Sequence, residues 1–167
     1  MDQINIGKLS HPVMGEIWFA VNPQGLFALD FPTTRERFLS EHRITETDSQ
    51  HNDLVLLVQR QLKEYLEGER RSFDLPLDWE QFPEFQKKAL RATFEIPYGQ
   101  TKSYKQVAIL AGSPNGARAV GRAEAANPIP IVIPCHRVLG SDQNLRGYGA
   151  GNGLATKQWL LDLESKS

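Results

Sequence analysis

Cys135 is the only cysteine in this chain of 167 residues, and it stands in the run Pro134-Cys135-His136-Arg137-Val138. Thiolate is the reactive form of cysteine, and a free thiol is mostly protonated at neutral pH. A histidine beside it can take that proton, directly or through a water, provided something holds its other ring nitrogen. The residue types needed for nucleophilic chemistry are therefore together. A lone cysteine is also a common small buried hydrophobe, so its surroundings decide between the two readings. A carboxylate is the natural holder of the second nitrogen. The C-terminal half offers Glu84, Glu95, Glu124, Asp142, Asp162 and Glu164, and spacing alone does not choose among them.

The elements that must position this pair surround it closely. Ile129 to Ile133 is a short apolar run with Pro128 and Pro134 at its flanks and Pro130 inside. Prolines cannot donate to a ladder, so this stretch is no ordinary central strand, but it is stiff enough to deliver Cys135 to a fixed point. Upstream, Phe85 to Ile96 reads as a helix that Pro97 ends, and Tyr98-Gly99-Gln100 as a turn. Ser103, with Gln106 three residues on, forms a capping box for a helix over Tyr104 to Ala111 that stops at Gly112. Ser113-Pro114 then restarts a helix, proline being favoured at the first helical position. It continues to about Ala126, where Asn127-Pro128 breaks it. Two short helices joined by a tight turn make a helix-turn-helix pattern. The second helix is nearly all small residues, with Arg118 and Arg122 isolated upon it. Base readout in the major groove needs long hydrogen-bonding side chains. A smooth helix suits close approach to a backbone or a narrow groove, or close helix packing, on different faces.

The N-terminal half carries no recognisable reaction. Gly15 to Val21 and Leu26 to Phe31, joined by Asn22-Pro23-Gln24-Gly25, read as a β-hairpin. A short helix is expected over 33–42 and a stronger one over Asn52 to Glu67, with apolar residues at helical spacing and Gly68 after its end. Residues 69–83 read as a surface connector with an extended piece at Phe73 to Leu75. The expected organisation is an α/β domain over 1–80 and a helix-turn-helix domain over 81–167.

Composition narrows the class. With 40% hydrophobic and 23% charged residues the chain is an ordinary globular protein. One cysteine excludes an internal disulfide. The four histidines are scattered, without metal-ligand spacing, so neither a metal nor a cofactor is expected. No apolar run is long enough to span a bilayer, and Met1 to Ser10 is no signal peptide; a cytoplasmic location is expected, or a nuclear one in a eukaryote. The net charge of −1 hides an asymmetry. Residues 1–80 hold 8 Lys and Arg against 14 Asp and Glu, and the remainder 11 against 6. A polyanion would meet the second half.

The ordered motifs from Phe85 to Glu164 resemble the O6-alkylguanine-DNA alkyltransferases, the methylated-DNA–protein-cysteine methyltransferases. They are Phe85-Gln86, Ile96-Pro97-Tyr98-Gly99-Gln100, Ser103-Tyr104, Ala117-Arg118-Ala119-Val120-Gly121, Asn127-Pro128, Ile133-Pro134-Cys135-His136-Arg137-Val138, Gly147-Tyr148 and Lys157-Gln158-Trp159-Leu160-Leu161. The N-terminal half is similar only in pattern, to the family's ribonuclease-H-like domain. The implied fold is α/β (α+β), a small sheet domain followed by a mainly helical domain like a winged helix-turn-helix.

The resemblance implies roles. Cys135 is the alkyl acceptor, His136 activates it through a water, and Glu164 orients His136. Asn127 ties the end of the recognition helix to the active-site turn. Tyr104 faces the target nucleotide, Arg118 fills the space a flipped base leaves, and Ser103 and Arg122 contact DNA. The carbonyls of Cys135 and Val138 accept from the guanine amine, the amide of Gly149 approaches O6, Tyr148 walls the pocket and Pro130 lines the alkyl side. The implied partner is double-stranded DNA carrying O6-alkylguanine, bound in the minor groove by a monomer. Transfer would consume the protein, because a thioether has no easy leaving group and no second thiol is present. A non-catalytic alkylated-DNA-binding relative is the alternative, and Cys135 argues against it. So does the adjacency of His136 against a cysteine hydrolase, which usually brings its histidine from far along the chain. This chain departs from many family members in a loop two residues longer between Tyr148 and Trp159, at Arg122 and Glu124, and in lacking the cysteines of an N-terminal metal site.

Overall fold

The computed structural model describes residues 3–140, 142 and 147–166. The chain divides into two units, Met1–Gln81 and Phe82–Ser167.

The first unit is built on an antiparallel sheet in the order β1 (Asn5–His11), β2 (Gly15–Asn22) and β3 (Gly25–Asp30). Strand β1 goes beyond the expected hairpin. Its polar residues (Asn5, Lys8, Ser10) mask a pattern in which Ile4 and Ile6 still meet the core. As the central strand, β2 is buried on both faces from Ile17 to Val21, which is why it reads as a continuous apolar run. Successive residues point to opposite faces. Trp18 and Ala20 join Ala28, Ile44 and Phe38, the last from α1 (Arg35–Glu41). Phe19 faces the other way, toward α2 (Asp53–Leu66): a Cβ on Gly7 would meet both Phe19 and Val55. Asn52 starts α2 by accepting from the amides of Leu54 and Val55.

The connector is pinned differently from expectation. No strand forms at Phe73 to Leu75. The extended contact lies two residues later, where Leu26 N donates to Pro76 O at 2.9 Å and Asp78 N to Leu26 O at 3.0 Å. The buried Gln61 amide holds the preceding stretch through both backbone groups of Asp74. A side chain 13 residues back along the chain, not local propensity, sets this path.

The second unit is mainly helical: α3 (Glu84–Phe94), β4 (Lys102–Ser103), α4 (Tyr104–Leu110), α5 (Ala117–Ala125), a 3-10 turn at Cys135–Arg137, β5 (Val138–Leu139) and α6 (Leu154–Ser165). Ala89, Ile96, Val107, Ala108, Val120, Ala123 and Val138 form its core. The capping box at Ser103 and Gln106 is present in both directions. Strands β4 and β5 pair in parallel, which no local sequence signal announces.

One helix start is corrected. Helix α5 begins at Ala117, not at Ser113-Pro114. Gly116 N donates to Ser113 O at 2.8 Å, closing a turn with Pro114 at its second position. Proline's fixed φ suits that position as well as the first turn of a helix, and Gly112, at φ +80°, has already redirected the chain.

Gly25 tests the first unit. Its φ is +137°, and a Cβ there would lie 2.3 Å from Pro76 O. Gly25→Ala is expected to cost about 2 kcal/mol or more, read by urea denaturation; a loss below about 0.5 kcal/mol would refute this account of the connector.

Candidate active site

Cys135 is 8% exposed and opens the 3-10 turn. The apolar run before it is a buried turn in which Ile133 N donates to Ile129 O at 2.9 Å. Ile131 sits at φ +74°, a strained conformation for a β-branched residue. Packing of Ile129, Val132 and Ile133, each at most 2% exposed, holds it there. Asn127 closes the other side. Its Oδ1 accepts from Ile129 N at 2.9 Å, and its Nδ2 reaches Ile133 O at 3.0 Å and Cys135 Sγ at 3.2 Å. One amide thus joins the end of α5, the turn and the sulfur. Gln86 on α3 steadies the same helix end by donating to Ala126 O at 3.3 Å.

Glu164 is the carboxylate that meets the histidine. His136 and Glu164 are 0% and 2% exposed, with Nε2 and Oε2 2.7 Å apart. Arg137, also buried, donates from Nε to Oε1 at 2.8 Å and from Nη2 to Oε2 at 2.9 Å, while its Nη1 donates to Ile96 O at 2.6 Å. Gly99 N adds a fourth donor to Glu164 at 3.2 Å. Burial alone would raise the Glu164 carboxyl. The hydrogen bonds from His136 and Arg137, and their charges, outweigh it and hold the group well below the usual carboxylate range. Arg137 is what makes this possible, since a buried anion facing a neutral imidazole would be uncompensated. Burial also lowers His136, more than Glu164 raises it. The imidazole is therefore neutral at pH 7. With a carboxylate on Nε2, the ring proton belongs there, and Nδ1 carries the lone pair.

The Cys135 thiol is pushed up to about 12, first by burial and then by the neighbouring Glu124, against weaker opposing pulls from Asn127 and Lys157. From an ordinary value of 9.0 that is about 4 kcal/mol against the thiolate. The resting sulfur is a neutral thiol.

Cys135 lies on the wall of a cavity of about 460 Å³, with Tyr104, Arg118, Glu124, Tyr148 and Gly149 among its lining. Arg118 and Arg122 lie one turn apart on the exposed side of α5, and Arg122 is outside the lining. Ser103 caps α4, its hydroxyl accepting from Gln106 N at 3.0 Å. Pro130 and Val138 are buried and do not line this cavity. The resemblance implies that Pro130 lines the alkyl side; in this structure it is packed into the turn before Cys135. Val138 O already accepts from Lys157 Nζ at 2.7 Å, which leaves one lone pair of that carbonyl for any other donor. In the longer loop, Gly151 and Gly153 take positive φ, and Thr156 Oγ1 accepts from Asn152 N at 2.8 Å.

Sequence reasoning assigns no role to Arg137, Gly99, Lys157 or Thr93, all of which shape this site. For Arg137 a signal exists: a cation inside a largely apolar stretch must find a buried partner.

The chain matches two family models, the ribonuclease-like domain of 6-O-methylguanine DNA methyltransferase over residues 6–79 and its DNA-binding domain over 84–166. It is 42% identical over 154 residues to a methylated-DNA–protein-cysteine methyltransferase of Methanosarcina barkeri, covering 92% of this chain and 93% of that one. It is 43% identical over 122 residues to the constitutive enzyme of that name from Bacillus subtilis, covering 72% and 73%. Among solved structures it is similar to Mycobacterium tuberculosis OGT in complex with DNA, with a TM-score of 0.77 and 33% identity, over 96% of this chain and 92% of that one.

The Glu164 clamp has a stability signature. The folded chain holds this carboxylate ionised more firmly than the unfolded chain does. Its contribution is complete above the ordinary value of 4.5 and drains away as pH falls below it. Denaturation at graded pH should show that loss in the wild type and a flatter acid limb in Glu164→Gln. Arg137→Met strands the buried carboxylate and is expected to cost about 3 kcal/mol at neutral pH; a cost below about 1 kcal/mol would mean the clamp is not what compensates it.

Proposed function

Because this chain belongs to the 6-O-methylguanine DNA methyltransferase family, we propose that it repairs DNA by moving the alkyl group of an O6-alkylguanine irreversibly onto Cys135. The observation that carries the reading is the setting of that sulfur. It lies on a cavity wall, hydrogen-bonded by Asn127, next to a buried histidine whose Nε2 is held by a clamped carboxylate.

In this reading the thiol proton leaves toward His136 Nδ1 through a water. The imidazolium that forms is stabilised by Glu164, so the base gains strength only as the proton arrives. Sulfur attacks the alkyl carbon; the S–C bond forms as the C–O6 bond breaks, and the electron pair stays with the guanine. Tyr104, in the cavity lining, donates toward the guanine as negative charge develops there. The product is a thioether, and each molecule acts once. A thiol at about 12 suits this, because a reagent that is consumed must not react before its substrate arrives.

The lesion must leave the duplex to reach Cys135, at a cost of a few kcal/mol that a mispaired base reduces. Support for a minor-groove approach comes from α5. Ala117, Gly121 and Ala125 line the cavity without bulk, while Arg118 and Arg122 stand exposed for phosphates or for the space the flipped base leaves. The excess of basic residues in the C-terminal half supplies the attraction. Nothing in this chemistry needs a second copy of the chain, so it works as a monomer, wherever the cell keeps its DNA. No described helix is long and apolar enough to cross a membrane.

Incubation with a duplex containing O6-methylguanine should add one methyl group per molecule, mapped by mass spectrometry to Cys135, with repair that stops at one equivalent. Cys135→Ser should bind the duplex and gain no mass. Glu164→Gln should slow the transfer by about a hundredfold. Binding without any mass gain in the wild type would favour the non-catalytic reading, and multiple turnovers would overturn the stoichiometric one.

A further inference from the structure

The transfer reading leaves one buried acid without a task. Glu124 lies on α5, one turn before Asn127, and is 7% exposed. It lines the same cavity as Cys135. Its Oε1 is hydrogen-bonded to the Thr93 hydroxyl of α3, and its Oε2 has no hydrogen-bond partner. An ionised carboxylate so poorly solvated is strongly disfavoured. The Thr93 hydroxyl has one proton and two acceptors in reach, Glu124 Oε1 and, at 2.9 Å, Ala89 O. Both contacts are satisfied when the acid keeps its proton, because it then supplies the second donor.

We propose that Glu124 is a positioning residue for the chemistry of Cys135: neutral, it completes the cavity wall, and ionised, it sets a negative charge beside the sulfur that keeps the thiol protonated and suppresses transfer. The consequence for repair rests on the function proposed above; the coupling of acid to thiol does not. Burial raises Glu124 to about 8, against smaller opposing pulls from the Thr93 hydrogen bond and the Lys157 ammonium. Glu124 is also the charged neighbour that raises the thiol. Among the described residues the charged and titratable groups around it are few. Lys157, from α6, is the buried cation that acts on both Glu124 and Cys135. Tyr104 and Lys105 of α4 and Arg118 of α5 share the cavity wall. Lys157 is itself lowered by burial, so a single alkaline profile mixes two titrations. Two proteins that differ only at position 124 separate them.

The test is the rate at which iodoacetamide alkylates Cys135, followed by intact mass between about pH 6 and about pH 10, in the wild type and in Glu124→Gln. The chain has one cysteine, so the readout is unambiguous, and it needs no DNA. The ratio of variant to wild-type rate should be flat near neutrality, rise through pH 8 and reach about tenfold one unit higher. A second variant, Glu124→Met, removes the titrating group while keeping its bulk and should give the same ratio, so the comparison stands even if Glu124→Gln does not fold. A constant ratio in both pairs overturns the proposal. The same pair should diverge likewise in transfer from an O6-methylguanine duplex. Divergence with iodoacetamide but no transfer by either protein would uphold the coupling and reject the repair function.

Discussion

Glu164 is a charged carboxylate sealed inside the protein, and much of the C-terminal unit follows from keeping it so. Four donors from three residues converge on its two oxygens: Gly99, Arg137 through two nitrogens, and His136. Each donor carries a structural consequence. Gly99 ties the turn after α3 to α6. Arg137 ties the 3-10 turn to α6 and, through Ile96 O, to the end of α3. His136 is left as a neutral base with its orientation set. A buried ion pair is a poor source of net stability, because desolvation consumes most of its Coulomb gain. Its value here is positional. A half-made clamp is costly, so the arrangement is all or none, and the histidine has one place to be.

The same burial explains why the site is quiet at rest. Apolar packing around Ile129, Val132 and Ile133 removes water from Cys135 and raises its thiol, while the Asn127 amide offers only partial relief. The strained Ile131 is held by that packing. Stability and reactivity therefore draw on one feature: a turn sealed tightly enough to hold a β-branched residue at positive φ also holds the thiol neutral. Three ionisable groups, Cys135, Glu124 and Lys157, share this poorly solvated corner. Their protonation states belong to the cluster more than to any one side chain.

Much of the fold is legible residue by residue. The hairpin of β2 and β3, helix α2 and the Ser103–Gln106 box all rest on local chemistry, and all are in the structure. The elements that escape local reading are those that depend on a partner and not on their own residues. Strand β1 is too polar to declare itself without β2. The parallel pair β4–β5 joins residues 36 positions apart. The connector path depends on Gln61 and Leu26, not on its own sequence. Pro114 misleads because one fixed φ serves both a helix start and a turn.

The site divides along the same line. By itself the sequence determined the reagents: a single cysteine, a histidine next to it, a stiff proline-flanked run to present them, and a smooth helix with two arginines upstream. These are properties of neighbours, and neighbours are read directly. Spacing left six carboxylates as candidates to hold the histidine, the family resemblance pointed to Glu164, and neither assigned a partner to Arg137, Lys157 or Thr93. Tertiary structure decided those, because burial turns a charge from a solvated surface feature into an obligation to find a partner. Which partner is found depends on segments that the chain brings together from 27 or 28 residues away. The charge state of Glu164, the neutrality of His136 and the silence of the Cys135 thiol are all effects of lost water, and no order of residues states where water is lost.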